Sequence, residues 1–204
     1  MNMTRERLAA SVLLLALCGC AEPGGDSSAK LRAGAAAGTT REETSMLTVT
    51  SPAFEAGAVI PKKHTGEGDD VSPELRWSGA PAGVEEYAVV CDDPDAPSPA
   101  RPAPEPWVHW VLAGIPGDAT GLAEGAPGVG VVGRNSWPVG SPQGARYAGP
   151  MPPPGSGSHR YFFKVYALDA ELGLAAGATK KDLLAAMEGH VLAAGELMGT
   201  YERR

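Results

Sequence analysis

From residue 46 to residue 169 the chain repeats one rhythm: a short run in which apolar and polar positions alternate, then a break at glycine or proline. Period-two alternation puts successive side chains on opposite faces of a strand. It predicts strands in "MLTVTS" (46–51), around Leu75–Trp77, in "EEYAVVCDD" (85–93), in "WVHWVLAGIP" (107–116), at Val129–Val132 and in "HRYFFKVYALD" (159–169), with a further short one inside "PAFEAGAVIPKKHT" (52–65). Residues 94–106 are irregular, because six of those thirteen positions are proline. Residues 133–158 form one long loop, and loops of that length carry function or motion more often than not. Near the C-terminus the period changes. Thr179 and Asp182 form a capping box, and Leu184, Met187, Val191, Gly195 and Met198 recur at helical spacing. The fold class predicted is mainly β: an antiparallel β-sandwich with a peripheral C-terminal helix.

The first residues follow a different pattern. Arg5 and Arg7 precede an apolar run from Leu8 to Cys18, too short to span a bilayer and arranged like a signal peptide. Its end, Leu17-Cys18-Gly19-Cys20, resembles a bacterial lipobox, in which Cys20 is lipidated and becomes the first residue. Cys18 departs from the small or hydroxyl residue usual at that place. Residues 1–20 are therefore read as a lipoprotein signal, residues 21–45 as a tether and residues 46–204 as the domain. The tether lacks aromatic and β-branched apolar residues and buries too little to order itself. The expected place is the bacterial cell envelope, with the membrane reached through the N-terminal lipid alone.

Composition narrows the partners. The 204 residues are 43% hydrophobic, enough for one domain with a real core, and the 27 glycines and 19 prolines favour short strands and turns. A net charge of −7 speaks against nucleic acid, which demands basic surface. Of the three cysteines, Cys91 stands in an apolar run and reads as a small core residue. No P-loop, G-x-S-x-G elbow or H-E-x-x-H occurs, and no cofactor is expected.

The candidate chemistry sits where apolar faces are interrupted. Tyr87, Val89, Cys91 and Asp93 share one strand face; Trp107, His109, Val111, Ala113 and Ile115 share another; His159, Tyr161, Phe163, Val165 and Ala167 share a third. Each face is largely apolar with an ionisable group near one end. Were the three strands neighbours, Asp93, His109, His159 and Tyr161 would meet at one rim of the sandwich. Alternation alone leaves a second reading open, in which His159 and Tyr161 merely satisfy each other. Arg160 faces the other way, toward a loop carboxylate, and Asp95 reads equally well as the builder of an Asx turn.

"DDPDAPSP", "WVHWVLAGIP", "YAGPMPPPGSGSHRYFFKVYALD" and "HVLAAGELMGTYER" together resemble the phosphatidylethanolamine-binding protein family, in its bacterial Raf-kinase-inhibitor-like branch, over roughly residues 47–204. The resemblance implies a β-sandwich with a small anion-binding pocket at one end. It aligns Asp93 and Asp95 with the two acids of a D-P-D motif, His109 with a pocket histidine, Gly149 and Pro150 with a pocket-lining pair, and His159 and Tyr161 with the His and Tyr of H-R-Y. An acid found three residues before the first histidine in some relatives is Pro106 here; Glu105 is one step off.

The function expected is a binding protein for phosphate or a phosphorylated headgroup. Histidines, the tyrosine hydroxyl and a backbone N–H near Gly149 would act as donors, and Asp93 would keep a histidine charged. The alternative is a protein inhibitor of a kinase or protease, acting through the 133–158 loop. A hydrolase built on an Asp–His pair is a third class, and a metal held by Asp93, Asp95, His109 and His159 is a weaker variant of it.

Overall fold

The computed structural model describes residues 45–204; the signal, the lipobox at Cys20 and all of the tether but Ser45 lie outside them. The strands are β1 (Ser45–Met46), β2 (Thr48–Thr50), β3 (Leu75–Ser78), β4 (Glu86–Asp93), β5 (Trp107–Pro116), β6 (Gly121–Leu122), β7 (Val131–Val132), β8 (His159–Leu168) and β9 (Val191–Tyr201), with one helix, α1 (Lys180–Ala186), before β9. One sheet has the order β1-β9-β8-β4-β5-β7 and the other β2-β3-β6. Pairing is antiparallel throughout except between β1 and β9. The expected β-sandwich is present.

Its core lies between the sheets. Val49, Phe54, Leu75 and Trp77 from the small side meet Val89, Cys91, Leu112, Phe163 and Val165 from the large sheet. A second apolar layer covers the outer face of the large sheet, where Leu183 and Met187 pack on Ala88, Val90 and Val111. Both faces of β4 are therefore covered, and all eight of its residues are buried. That explains why "YAVVCDD" reads as a nearly unbroken apolar run ending in two acids. Burial also pushes the Cys91 thiol up, so it stays an inert core residue.

The C-terminal segment corrects one expectation. The capping box is present: Thr179 Oγ1 accepts from the Asp182 N–H, and the Asp182 carboxylate accepts from the Thr179 N–H. But the helix ends at Ala186, and Gly189, at φ +83°, turns the chain into β9. Val191, Gly195 and Met198 lie in that strand, not in a helix. Its inward positions are Ala193, Gly195, Leu197, Gly199 and Tyr201. A Cβ on Gly195 would stand 2.2 Å from the Leu47 carbonyl oxygen, so close packing admits no side chain there. With small residues at the inward positions, the period-two signal vanished, and an accidental four-residue spacing was left to mimic a helix.

The β5 strand corrects another. Its register against β4 slips twice, between the Cys91–Trp110 and Asp92–Val108 pairs and between Tyr87–Ile115 and Val89–Leu112. The first slip leaves His109 as an unpaired bulge residue; the second falls at Gly114, whose φ of +68° the bend requires. Parity changes at each bulge. Trp110, Leu112 and Ile115 join the inner core, while Val111 and Ala113 face the outer layer. Strict alternation placed Val111 and Ala113 beside His109 on one face, and the structure does not. The strand expected inside 52–65 reduces to a single bridge, Val59 to Thr200, followed by a 3-10 turn at Lys62–His64.

Candidate functional site

At one end of the sandwich β4, β5 and β8 deliver four polar side chains to a pocket of about 510 Å³. Asp93 ends β4, His109 sits on the bulge of β5, and His159 and Tyr161 open β8. The bulge matters here, because it lets His109 face the pocket while Trp110 beside it still enters the core. The His109 ring stands edge-on to Tyr161, with centroids 5.1 Å apart, and edge-on to Trp137 at 5.3 Å. Trp137 comes from the long loop and Met151, Pro152 and Pro153 from its far end; together with Trp107 they supply the apolar wall. Ala96 and Pro97, joined by a cis peptide bond, close another side.

Asp93 is 2% exposed, and its two oxygens have separate tasks. Oδ1 accepts from the Asp95 N–H at 2.7 Å, an Asx turn that starts the proline-rich loop. Oδ2 lies 2.7 Å from Nδ1 of His159, which is fully buried. The other nitrogen of that ring, Nε2, is 3.0 Å from Ser156 Oγ, whose hydroxyl hydrogen goes to the Pro153 carbonyl at 2.7 Å. Both ring nitrogens are thus engaged within the protein. Ser156, His159 and Asp93 stand in a row. The carboxylate anchors one side of the imidazole and Ser156 takes the other, so the ring is held at both nitrogens.

His109 is wired differently. Its Nδ1 is 2.6 Å from the Ala148 carbonyl oxygen, so Nδ1 carries the proton and Nε2 turns a lone pair to the pocket. Burial holds its titration below the ordinary imidazole value, against the opposing pull of the Ala148 carbonyl and the Asp93 charge. At neutral pH it is an uncharged acceptor. Tyr161 is the reverse. Burial first, then the Asp93 charge, push its phenol up, so it keeps its proton. Its hydroxyl has no hydrogen-bond partner among the described residues. An orphan donor and a free acceptor therefore share the pocket, and no lysine or arginine is among its lining residues.

Three residues expected at the site serve elsewhere. Asp95 does not line the pocket: its carboxylate takes the Arg160 guanidinium in a fork (2.8 Å to Nε and 2.8 Å to Nη2) and the Arg160 N–H at 3.0 Å. That arginine holds the Asp95 carboxyl below its usual range. Arg160 thus finds the loop carboxylate its outward position called for. Gly149 does not line the pocket either. Its N–H, expected as a donor to ligand, goes to Asp70 Oδ1 at 2.6 Å. The close approach that excludes a side chain is made by the chain itself, since a Cβ would stand 2.3 Å from the His64 carbonyl oxygen. Pro150 is buried, and its carbonyl accepts from the Gly66 N–H. Conversely, Glu105, set aside on spacing, does line the pocket, as does Trp107 at 38% exposed. With Asp95 turned to Arg160 and His109 Nδ1 to Ala148, the four candidate metal ligands do not converge, and among the described residues no metal-holding cluster of histidine, cysteine and acid occurs.

The family profile described as phosphatidylethanolamine-binding protein matches residues 50–202. The chain belongs to the phosphatidylethanolamine-binding protein family. A UPF0098 protein of Methanothermobacter thermautotrophicus is 45% identical over 163 residues, covering 77% of this chain and 99% of its own length. Among solved structures of the phosphatidylethanolamine-binding protein fold, a putative homolog from Chlamydia trachomatis is 39% identical with a TM-score of 0.69, over 78% of this chain and 99% of that one. The Escherichia coli family member YbcL is 30% identical with a TM-score of 0.66, over 79% of this chain and all of that one. The shared region is the sandwich that carries the pocket; the first residues lie outside it.

Proposed function

We propose that this family member is an exported, lipid-anchored binding protein whose pocket takes a small oxyanion: phosphate or a phosphorylated headgroup. The observation that carries the reading is the Tyr161 hydroxyl, buried and unpartnered, set beside the free Nε2 of His109 in a pocket of about 510 Å³. A buried donor without a partner costs about 1–3 kcal/mol, and a ligand acceptor relieves that cost. A singly protonated phosphate matches both groups, its P–O⁻ accepting from Tyr161 and its P–OH donating to His109. Both oxygens of the Asp93 carboxylate beside them are already engaged, one by the Asp95 N–H and one by His159 Nδ1, so neither is left to face the guest. Anchoring rests on the lipobox ending at Cys20 and the polar tether that follows it.

Titration of the full chain with inorganic phosphate and with O-phosphoethanolamine, followed by calorimetry and by histidine NMR, tests the pocket. Saturable binding that moves the His109 resonances is expected; no saturable change at millimolar ligand refutes the reading. Mass analysis of envelope protein tests the anchor, with a diacylglyceryl adduct expected on Cys20 and lost in Cys20→Ser.

A second reading, a protein inhibitor of a kinase or protease, draws on a groove beside the pocket. Trp107, Val139 and Leu184 are exposed large apolar side chains, and all three line it, with Arg134, Lys180 and Lys181 on its rim. Adjacent apolar side chains of this kind mark protein contacts. Capture of a saturable envelope partner that Val139→Glu abolishes favours this reading; phosphate binding without any partner favours the first.

A further inference from the structure

The hydrogen bonds of the Ala148–Gly149 peptide group link the pocket to a residue outside it. Its carbonyl oxygen accepts from His109 Nδ1 at 2.6 Å, and its N–H donates to Asp70 Oδ1, also at 2.6 Å. One planar amide thus stands between a carboxylate and an imidazole. Hydrogen bonds in series through an amide strengthen one another: an anion on the N–H side draws the proton toward itself and loads the carbonyl oxygen with charge. A better acceptor at Ala148 holds the proton on Nδ1 and makes Nε2 more basic.

The rest of the segment fits such a device. Ala148 is held twice by one residue, because its N–H also donates to the His109 carbonyl at 3.1 Å. Tyr147 Oη donates to the His64 carbonyl at 2.8 Å, and the Gly66 N–H donates to the Pro150 carbonyl at 3.0 Å, so the loop bearing Asp70 is fastened on both sides of the amide. Asp70 itself sits at φ +58°, in the left-handed region that a non-glycine residue occupies at a cost. Glycine would be easier there; aspartate supplies the side chain. Its second oxygen takes Arg146 Nη2 at 2.5 Å and its carbonyl takes Nη1 at 3.1 Å, which fixes the rotamer.

We propose that Asp70, which does not line the pocket, is a positioning residue that sets the hydrogen-bonding face of His109 through the Ala148–Gly149 peptide, and so decides whether the pocket offers a ligand an acceptor or a donor at that point. The inference rests on the pocket reading for its consequence but not for its test. The groups facing His109 are Asp93 on β4, Tyr161 and His159 on β8, Trp137 in the long loop and Glu105 at the rim, with Asp92 close behind Asp93. Asp70 alone reaches it through a covalent amide.

The experiment is imidazole ¹⁵N NMR on the full chain, ligand-free, together with the Ala148 carbonyl ¹³C shift. The wild type is expected to show the Nδ1–H tautomer of His109 at neutral pH; a dominant Nε2–H tautomer overturns the proposal before any variant is made. Asp70→Asn keeps the acceptor and tolerates the backbone angle but removes the charge. In it the Ala148 carbonyl is expected to move upfield, the His109 tautomers to mix, and the ring to titrate lower by on the order of a few tenths of a pH unit. Arg146→Gln, which frees the Asp70 charge, is expected to move the titration upward. A folded Asp70→Asn protein with wild-type tautomer and carbonyl shift overturns the relay, as does a titration shift alone, which is what charge acting through space gives. Inorganic phosphate is then titrated into the wild type. If it fails to bind while the NMR signature holds, the pocket reading fails and the relay stands.

Discussion

Asp92 and Asp93 are neighbours of the same residue type, on the same strand, 1% and 2% exposed. They do different work. Asp92 points to the outer face, where Lys164 Nζ lies 3.1 Å from one oxygen and Lys180 Nζ contacts the other. It thereby ties α1 and β8 to β4. Asp93 points to the inner face, where its partner is an imidazole and its surroundings open into the pocket. Neither burial nor residue type separates a structural acid from a site acid here. The identity of the facing group does, and period-two geometry assigns the two faces.

The contrast can be broken from either side. The largest expected effect is on the outer face. Asp92→Ala leaves two lysines against an apolar layer, and unfolding of the full chain should show a loss of about 3 kcal/mol, the low end for a broken buried pair because the lysine heads are partly exposed. Phosphate affinity of the folded fraction should not change; a parallel loss of both would mean that the faces are not independent. On the inner face Asp93→Asn keeps the shape and removes the charge that faces His159. Sulfate, an anion with no titration of its own near neutrality, should bind about tenfold more weakly by calorimetry, or ~1.4 kcal/mol. Tighter binding would show that Asp93 merely repels.

Smaller effects sharpen the same division. Thr179→Ala removes the cap of the helix that carries Lys180 and should cost about 1 kcal/mol with binding intact. Tyr161→Phe should leave stability level or slightly raised, since an orphan hydroxyl goes, while sulfate affinity drops about threefold; equal affinity would remove the donor from the site. The pH response follows from His109, whose titration burial lowers. As pH falls from 8, the ring gains a proton, turns from acceptor to donor and becomes positive, so sulfate should bind more tightly, a trend lost in His109→Gln. The ligand-free fold should respond oppositely. The unfolded ring protonates near its ordinary value of about 6.5, ahead of the folded one, so stability falls through that range until the folded ring also titrates.

Much of the sandwich was legible because β8 keeps its alternation and β4 is an apolar run of strand length, both beside well-marked breaks. Asp93, His159 and Tyr161 could be placed on inward faces for the same reason, one β8 residue being enough to fix the others. β9 was not legible: glycines at inward positions erase hydrophobic contrast, and closeness to Leu47 demands them. Nor was the parity of β5, since a bulge is one residue of slack that the composition of "WVHWVLAGIP" does not announce, Gly114 excepted. Gly149, expected to line the pocket, is instead packed against the His64 backbone, because a sequence says that a Cβ is missing and not what stands in its place.

The amino-acid order alone determined strands β2 to β5, β7 and β8, the capping box and the inward direction of the β8 polar pair, because these follow from repeats of two and from contacts within four residues. Packing across distant segments determined the rest: that Asp93 meets His159 and not His109, that Arg160 claims Asp95, that Asp70 reaches His109 through a peptide bond. Each of those depends on which of several chemically equal partners lies within about 3 Å, and that distance is set by how strands stack and loops fold back, over separations along the chain at which local pattern carries no information.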